Sequence, residues 1–461
     1  MRFLSVVLIV IPLLYLIYRL FSKGDILNPL TFYSAFFALK IVIPTIMFSN
    51  EAITNGLLRG DSFLRNSVLD NSIFLAHSLL QTICFFITIL GITTSLSSNK
   101  VVHVVVAGHR PTSLLQDNER LDNFKIVGII LLAFGTIAFF IMMRTVGGLA
   151  YFLSNLQLRT YLIGNLDFLY WVVSLLGNAP ILIAYYYFKK FPNSGLRQTI
   201  VIIVCMIAGL MSGLGGRSSL VALLIQIMII YHYTVRPISF KKIFSIKYLL
   251  VVILLVAFIV VMPALRSPGE WDTFLHQPGS YLASHFNGVF QLVARESYVP
   301  HYTAVMKYFY DHNYWLGSSF KGLLTGFIPS SLYPAKPPVD DGMYLYSICL
   351  GRNDIVPTMP ASSLNLSSYP LETFGSMYAN FGLFGLVIGF FILGKVIGRS
   401  YLKMKQAEGN RLFRIVIYTT IVSSFQLSTL RIEQFIISYI KWFVIFFVLN
   451  SMRIKTSKEA N

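Results

Sequence analysis

A short glycine-rich turn that carries one arginine lies between two apolar stretches, at Gly213–Ser219 (GLGGRSS). Glycines allow a tight turn and a close approach of the backbone to a ligand. Free amides at the start of a helix attract anions, and the guanidinium group of Arg217 adds a fixed positive charge. The turn therefore suits a diphosphate group. A simple hairpin whose Arg217 reaches lipid phosphates is the structural alternative.

Further cations lie in stretches that are expected outside the membrane, at Arg266, Arg295, Lys336, Arg352 and Arg431. Topology does not explain them, because the cations that orient a membrane protein collect on the cytoplasmic side. The planar guanidinium group binds phosphate oxygens through two parallel hydrogen bonds. We therefore predict that several of these side chains converge on one diphosphate group.

Three residues of the same external stretches are candidates for removing a proton from a substrate hydroxyl group, a step that needs a positioned base. Glu372 and Glu433 are the carboxylates nearest to the predicted membrane helices, and His301 is flanked by Pro300 and Tyr302. Other roles remain open for them. Glu433 also fits an ion pair with a neighbouring Arg, and His301 also fits a contact with substrate or packing within the loop.

Metal and cofactor chemistry is not indicated by the sequence. Four of the eight histidines lie in one long loop, at His276, His285, His301 and His312. Their spacing fits no compact zinc motif. A Walker-type phosphate loop, a nucleophile elbow and a dinucleotide fingerprint are missing from the sequence. We therefore expect no metal and no cofactor, and we expect the substrate to carry the energy of the reaction.

The elements that must position these side chains are apolar helices. The 461-residue chain is 55% hydrophobic and 12% charged, whereas about 25% of the residues of soluble domains are charged. A bilayer is crossed by about 20 apolar residues. The predicted fold class is an all-α polytopic membrane protein with about 11 (10–12) transmembrane helices and one large external loop. The predicted spans are Phe3–Leu20, Leu30–Phe48, Ser72–Thr93, Phe124–Met143, Phe168–Phe188, Thr199–Gly213, Ser218–Tyr233, Tyr248–Ala264, Phe374–Ile397, Leu412–Gln426 and Ile432–Asn450.

Basic residues between the spans predict the orientation of the chain. The clusters before the eighth span and after the ninth are expected in the cytoplasm, and alternation then places the N-terminus and the long loop outside. This topology explains the net charge of +18 better than nucleic-acid binding does. The predicted domains are a bundle of about eight spans (1–264), a large external loop that prolines break into short helices (265–373), and about three spans with a cytoplasmic tail (374–461).

Two segments resemble the Wzy-type O-antigen polymerases, the oligosaccharide repeat-unit polymerases of bacteria. They are the proline-lysine segment Ile328–Pro338 (IPSSLYPAKPP) and the glycine-aromatic segment Gly375–Gly385 (GSMYANFGLFG). The turn at Arg217 fits the same family. The chain departs from the family pattern at Ser330, where an Arg is frequent, and at Ser376-Met377, where an acidic residue is frequent. The residues that match the motifs are Arg217, Lys336, Tyr378, Asn380 and Gly382.

The resemblance implies a metal-independent membrane glycosyltransferase of the C-type fold in the bacterial inner membrane, with its active site facing the periplasm. It implies undecaprenyl-diphosphate-linked oligosaccharides as donor and acceptor, and a flippase and a chain-length regulator as partners in the pathway. Arg217, Lys336, Tyr378 and Asn380 would then contact the diphosphate or the glycan. The alternatives are an O-antigen ligase or another lipid-linked glycan transferase, which uses a different acceptor, and a flippase or transporter for lipid-linked glycans. A transporter predicts inverted repeats with broken helices, and we find no such symmetry in the sequence.

Overall fold

A computed structural model of the chain describes residues 1–21, 25–97, 118–155, 162–163, 166–214, 217–238, 270–281, 297–326, 328, 332–365, 367–406 and 411–458. Every regular element in these ranges is helical. Eight of the helical stretches are long and apolar enough to cross a membrane. The predicted fold class, an all-α polytopic membrane protein, is confirmed.

The eight candidate spans coincide with eight of the predicted ones. They are Arg2–Phe21, Pro29–Phe48, Asn71–Ser97, Leu121–Thr145, Phe168–Lys190, Gly195–Ser212, Glu372–Lys405 and Thr429–Met452. Two further predicted spans correspond to shorter helices, Leu220–Thr234 and Arg411–Ser424. The predicted span Tyr248–Ala264 lies outside the described residues, so the total of about eleven stays a prediction.

Contacts divide the chain into two units. Unit 1 comprises Met1–Val104, Phe290–Ala407 and Thr420–Tyr439, and unit 2 comprises Val105–Val289, Glu408–Thr419 and Ile440–Asn461. The helices of unit 1 are Arg2–Phe21, Pro29–Phe37, Ala38–Val42, Ile43–Phe48, Glu51–Leu57, Ser62–Leu69, Asn71–Ser97, Val299–Asp311, Ser318–Phe320, Lys321–Thr325, Gly342–Cys349, Ala361–Ser363 and Glu372–Lys405. The helices of unit 2 are Asn118–Thr145, Leu149–Ser154, Asp167–Val173, Ser174–Gly177, Ala179–Lys190, Gly195–Ser212, Arg217–Thr234 and Glu270–His276. Arg411–Ser424 and Thr429–Lys458 contribute to both units.

Close packing of two long helices forms the centre of unit 1. A Cβ atom on Gly91 would lie 2.5 Å from the Phe391 carbonyl oxygen, and one on Gly394 would lie 2.3 Å from the Thr88 carbonyl oxygen. Small residues let helix backbones approach this closely, which is a common way to join helices in a membrane. These glycines therefore fix the position of helix Glu372–Lys405 against helix Asn71–Ser97.

The N-terminus, the link 49–70 and the described loop residues between 297 and 370 lie at one end of unit 1, called the loop end below. The Arg2 guanidinium donates hydrogen bonds to the carbonyls of Phe48 and Val68, at 2.8 and 3.1 Å. The Tyr369 hydroxyl donates to the Asp61 carboxylate at 2.7 Å. At the far end of helix Arg2–Phe21, Asp25 pairs with Lys405 at 3.5 Å. The predicted alternation requires this relation, with the N-terminus and the long loop on the same side.

The second span contains one π-helical turn, Ala38–Val42, around Lys40. Pro44 has no backbone N–H, so it cannot donate to the carbonyl four residues before it, which belongs to Lys40. The Ile43 amide donates instead to Ala38, five residues back. The wide turn places the Lys40 ammonium group over the ring of Tyr298, 5.1 Å from its centre. A charge that is costly inside an apolar helix is thereby brought to the loop end.

Unit 2 is also held by small residues between helices. A Cβ atom on Gly128 would lie 2.8 Å from Ile183, and one on Gly135 would lie 2.7 Å from Leu176. Helix Asn118–Thr145 can therefore pack closely against the stretch Phe168–Lys190. The ammonium group of Lys441 donates to the Ser174 hydroxyl at 2.6 Å, which gives this cation a polar partner among apolar residues.

Candidate functional site

The glycine-aromatic segment forms a break in a long helix of unit 1. Helix Glu372–Lys405 is interrupted at Gly382, whose φ of +60° and ψ of −143° are readily adopted only by glycine. The break frees the carbonyls of Ala379 and Asn380, and these accept hydrogen bonds from the amides of Trp315 and Leu316, both at 2.9 Å. The sequence predicted one uninterrupted span here. The structure instead shows a broken helix that fastens loop residues 315–319.

The Asn380 side chain also holds the loop against the broken helix through hydrogen bonds. Its amide oxygen accepts from the Gly317 amide at 3.1 Å, and its amide nitrogen donates to the Ser319 hydroxyl and to the Ser376 carbonyl, both at 2.8 Å. Asn380 is 0% exposed. The substrate contact predicted for it from the sequence therefore has no exposed surface to act from. The structure gives it a positioning role, because its polar groups bond within the fold.

Tyr378, the next motif residue, belongs to an aromatic layer rather than to an isolated contact. Its ring lies parallel to that of Phe374 at 6.1 Å and meets the edge of Tyr314 at 5.8 Å. Phe374 in turn stacks on Tyr302 at 4.8 Å. Burial raises the pKa of the Tyr302 hydroxyl well above its usual value. This layer connects the broken helix to helix Val299–Asp311.

A buried ion pair stands at the start of the broken helix. The Arg431 guanidinium donates to the Glu372 carboxylate from Nε at 3.1 Å and from Nη2 at 2.6 Å. The Glu372 side chain is 3% exposed and that of Arg431 is 30% exposed. The backbone of Glu372 has a φ of +46°, which is uncommon for a residue with a side chain. The pair joins two predicted site residues that are 59 positions apart in the sequence.

Tyr298 adjoins this pair on the loop side. Its hydroxyl group interacts with both Glu372 and Arg431, and the Lys40 ammonium group lies over its ring. Burial first, and then the Glu372 charge, raise the pKa of the Tyr298 hydroxyl. The phenol therefore stays neutral near pH 7. It can donate a hydrogen bond to an anion, but it is a poor base.

A second buried carboxyl lies beside the pair, at Asp341. The Ser376 hydroxyl donates to it at 2.7 Å, and the Thr429 amide also donates to it. Asp341 is 2% exposed. Burial raises its pKa to about 7, against these hydrogen bonds, and the neighbouring Asp340 contributes in the same direction. Burial likewise raises the pKa of Asp340. Near neutral pH this part of the site therefore holds less negative charge than its two carboxyls suggest.

Lys336 and Glu433 lie together at the same end of unit 1. The Lys336 ammonium group donates to the Ile328 carbonyl at 2.6 Å. A Cβ atom on Gly326 would lie 3.4 Å from Glu433 Oε1, and Lys336 and Asp340 are the charges that act on Glu433. Glu433 is half-buried, and the structure records no ion pair within 4.0 Å for it among the described residues. Its carboxylate is less engaged than that of Glu372, which Arg431 holds.

Only some of the predicted cations lie near one another in the structure. Lys336 and Arg431 belong to the group at the loop end, whereas Arg352 does not join them. It pairs with the exposed Asp354 at 2.7 Å and donates to the Ser363 carbonyl at 2.5 Å. Helix Arg217–Thr234 begins at Arg217, whose side chain is not described. Arg266 and Arg295 lie outside the described residues, so their roles stay predictions.

His301 is placed at a partly open cavity of about 740 Å³ in unit 1. Its ring lies 4.7 Å from that of Tyr369. Burial lowers its pKa to about 4, so the imidazole is neutral at pH 7. Its Nδ1 atom is buried and has no hydrogen-bond partner among the described residues. The polar residues that line the cavity with it are Asp61, Ser62, Asn66, Ser297, Tyr346 and Tyr369.

Several of these residues were not anticipated from the sequence. Asp61 and Tyr369 are hydrogen-bonded across 308 positions, and Asp341 reaches Ser376 across 35. No short motif marks either pair. Tyr298 was also missed, and the signal for it was Lys40, because a charge inside an apolar span points to a neighbour that accommodates it.

The described residues contain no group of three or more His, Cys, Asp or Glu side chains that could hold a metal ion. Comparison of the chain with protein-family models, curated proteins and solved structures found no match. A functional interpretation therefore rests on the residues and on the geometry of the loop end.

Proposed function

We propose that this protein transfers a glycan from its undecaprenyl diphosphate carrier to a second lipid-linked oligosaccharide, and so polymerises repeat units into an O-antigen or a related surface polysaccharide. A hydroxyl oxygen of the acceptor forms a bond with the anomeric carbon of the donor. The bond between that carbon and the diphosphate oxygen breaks, and undecaprenyl diphosphate leaves. The hydroxyl proton passes to a base. The reaction is proposed for the periplasmic face of the bacterial inner membrane.

The observation that carries this proposal is that the chain just after the proline-lysine segment bonds to the glycine-aromatic segment. Lys336 of the proline-lysine segment lies beside Glu433, and Asp341, three residues after this segment, binds Ser376 of the glycine-aromatic segment at 2.7 Å. Ser376 stands where the polymerases frequently have an acidic residue. In this chain another segment supplies a carboxyl group to that position. Residues of the two segments, or next to them, thus belong to one group of polar side chains, which supports the proposal.

The diphosphate would lie against Arg431 and Lys336. A guanidinium group has five N–H donors, and Glu372 and Gln434 take three of those of Arg431. The remaining N–H groups of Arg431 are available to the Tyr298 hydroxyl and to an incoming phosphate oxygen. Glu372 holds the guanidinium in place, so that little reorganisation is needed when negative charge develops on the leaving group. Lys336 adds a second positive charge on the same side.

Glu433 is assigned as the base. Its carboxylate is half-buried, lies beside Lys336 and is not taken by an ion pair among the described residues. Glu372 is a weaker choice, because Arg431 occupies its carboxylate. His301, at the cavity, is available for a contact with the glycan. All of these side chains belong to unit 1.

An O-antigen ligase would use the same lipid diphosphate and differ in its acceptor, and a flippase would move the lipid-linked glycan without breaking a bond. The resemblance of the two segments favours the polymerase. The break at Gly382 is compatible with a transporter, since broken helices occur there. However, the amides of loop residues donate hydrogen bonds to the carbonyls freed by this break, so these carbonyls are not available to a transported substrate.

The test is the ladder of surface glycan from a strain that lacks the gene, compared on gels with the same strain carrying the gene. Loss of the ladder with single repeat units retained supports polymerisation. Loss of every repeat unit points to a ligase or a flippase, and an unchanged ladder rejects a role in glycan assembly.

Two variants sharpen this test. Glu433→Gln should abolish long chains at normal protein levels, because the amide cannot accept the proton. Asp311→Asn is the matched control, since Asp311 is an exposed carboxylate at the end of helix Val299–Asp311. A normal ladder with Glu433→Gln would overturn the assignment of the base.

A further inference from the structure

The cavity beside His301 is built differently from the group of charges around Arg431. It is formed by the turn and helix at residues 57–66, the start of helix Val299–Asp311 and the segment 346–351, with Tyr369 on one side. Its volume of about 740 Å³ lies within the range of about 300–1,000 Å³ typical of small-molecule sites. Its lining combines apolar side chains, among them Leu57 and Phe63, with polar ones.

The polar residues of the cavity are arranged around an aromatic pair. The His301 and Tyr369 rings lie 4.7 Å apart, and Tyr346 meets Tyr369 edge-on at 5.0 Å. Asp61 Oδ2 accepts from the Tyr369 hydroxyl at 2.7 Å, and Oδ1 accepts from the Leu64 amide at 2.9 Å. Each carboxylate oxygen can accept a further hydrogen bond. The site thus combines ring faces with acceptors held in fixed positions.

His301 is a second and independent feature of this site, because the residue is partly exposed at the cavity while its Nδ1 atom is buried without a hydrogen-bond partner among the described residues. A buried nitrogen without a hydrogen bond is costly, and native structures normally satisfy such a group with protein, water or ligand. A neutral imidazole can both accept and donate a hydrogen bond. A ligand hydroxyl group, which also does both, is a suitable partner for the part of the imidazole that lines the cavity.

The charge of the lining limits the kind of ligand. Asp61 is an acidic residue of the cavity, and no Lys or Arg lines it among the residues that the structure describes. A phosphate or a carboxylate would meet the Asp61 charge without a compensating cation. The apolar side chains and the rings suit the C–H face of a sugar, and the acceptors suit its hydroxyl groups.

We propose that this cavity binds an uncharged sugar residue of the glycan and discriminates against acidic sugars through Asp61. The inference rests on the proposed glycosyl transfer for its choice of glycan, and it separates two tasks within unit 1. The cations bind the diphosphate, and the cavity selects the sugar. Asp61, His301 and Tyr369 then determine specificity and leave the transfer itself to other residues.

The experiment is binding to the purified full-length protein in lipid nanodiscs, followed by saturation-transfer NMR. The probes are methyl glycosides of neutral hexoses, 6-deoxyhexoses and N-acetylhexosamines, together with the methyl glycosides of the corresponding uronic acids. At least one neutral glycoside should bind, and its uronate counterpart should bind at least about tenfold more weakly. Absence of binding by every glycoside, or equal binding of the uronate, overturns the proposal.

Variants assign the effect to the cavity. Tyr369→Phe retains the ring and removes the hydroxyl group that holds Asp61, and it should weaken neutral binding. Asp61→Asn should reduce the discrimination against the uronate. Tyr310→Phe, at an 85% exposed tyrosine, is the matched control and should leave binding unchanged. If Asp61→Asn and Tyr369→Phe both bind like the unaltered protein, the cavity is not the site.

The experiments distinguish a failure of the sugar-site proposal from a failure of the polymerase proposal. Binding of neutral glycosides by a protein whose gene is dispensable for the glycan ladder retains the sugar site and rejects the polymerase. A ladder that depends on the gene, together with no glycoside binding, retains the polymerase and rejects the sugar site.

Discussion

The Glu372–Arg431 pair leads to a quantitative prediction, because its two side chains differ in exposure. Glu372 is 3% exposed and Arg431 is 30% exposed, and their closest N–O distance is 2.6 Å. Breaking a buried pair costs about 3–5 kcal/mol when one charge is left uncompensated. Arg431→Met leaves a carboxylate without access to water, so we expect a loss near the upper value. Glu372→Gln leaves a cation that still reaches solvent, so we expect about 1–3 kcal/mol.

The double variant tests this reasoning, since removing both charges leaves none unpaired. We expect Glu372→Gln with Arg431→Met to cost less than the two single changes together, with a coupling of about 1–3 kcal/mol. Reversible unfolding of the purified protein in mixed detergent and SDS micelles, followed by circular dichroism, gives the free energies. Additive effects, or a smaller loss for Arg431→Met than for Glu372→Gln, would refute the description of this pair as buried and coupled.

Two further predictions concern the same unit. Because the folded pKa of Asp341 is raised to about 7, above the unfolded value, its stabilising effect is present at low pH and is lost as the pH rises to 7. The unaltered protein should lose about 3 kcal/mol more than Asp341→Asn between pH 5 and pH 8, and parallel stability curves would contradict this. Gly382→Ala forces a side chain into a φ of +60° with its Cβ atom 2.8 Å from the Tyr314 ring, so unfolding should become easier by about 2–4 kcal/mol. Gly56→Ala is its control, because nothing lies within 4 Å of the added atom, and equal stability of the two variants would show that the break is not required.

Much of the fold could be predicted from local patterns. Crossing a bilayer requires about 20 apolar residues with every backbone group bonded within the helix, so hydropathy alone locates the spans. The break at Gly382 could not be predicted in this way, because the surrounding sequence is as apolar as that of an unbroken helix. Its cause is non-local, since Trp315 and Leu316 donate to the carbonyls that the break releases.

The candidate site was predicted as residue types but not as partners. Glu372 and Arg431 were both selected from the sequence, one as a base and one as a phosphate ligand, and the structure pairs them with each other. Asn380 was selected as a substrate contact and is fully buried. A sequence shows that a charge or an amide near a membrane needs a partner, but it does not show which one, because any residue of the opposite type satisfies the requirement.

By itself the sequence determined the membrane class, the approximate positions of the eight candidate spans in the described residues and the types of residue available for chemistry. These follow from short-range rules of hydropathy and from the cost of charge in an apolar medium. The tertiary structure alone decided that Arg431 holds Glu372, that Asp341 reaches Ser376, and that Asp61 and Tyr369 line one cavity. The physical reason is that these contacts depend on the packing of helices distant in the sequence, and close packing such as that of Gly91 on Phe391 is set by the shape of whole helix surfaces.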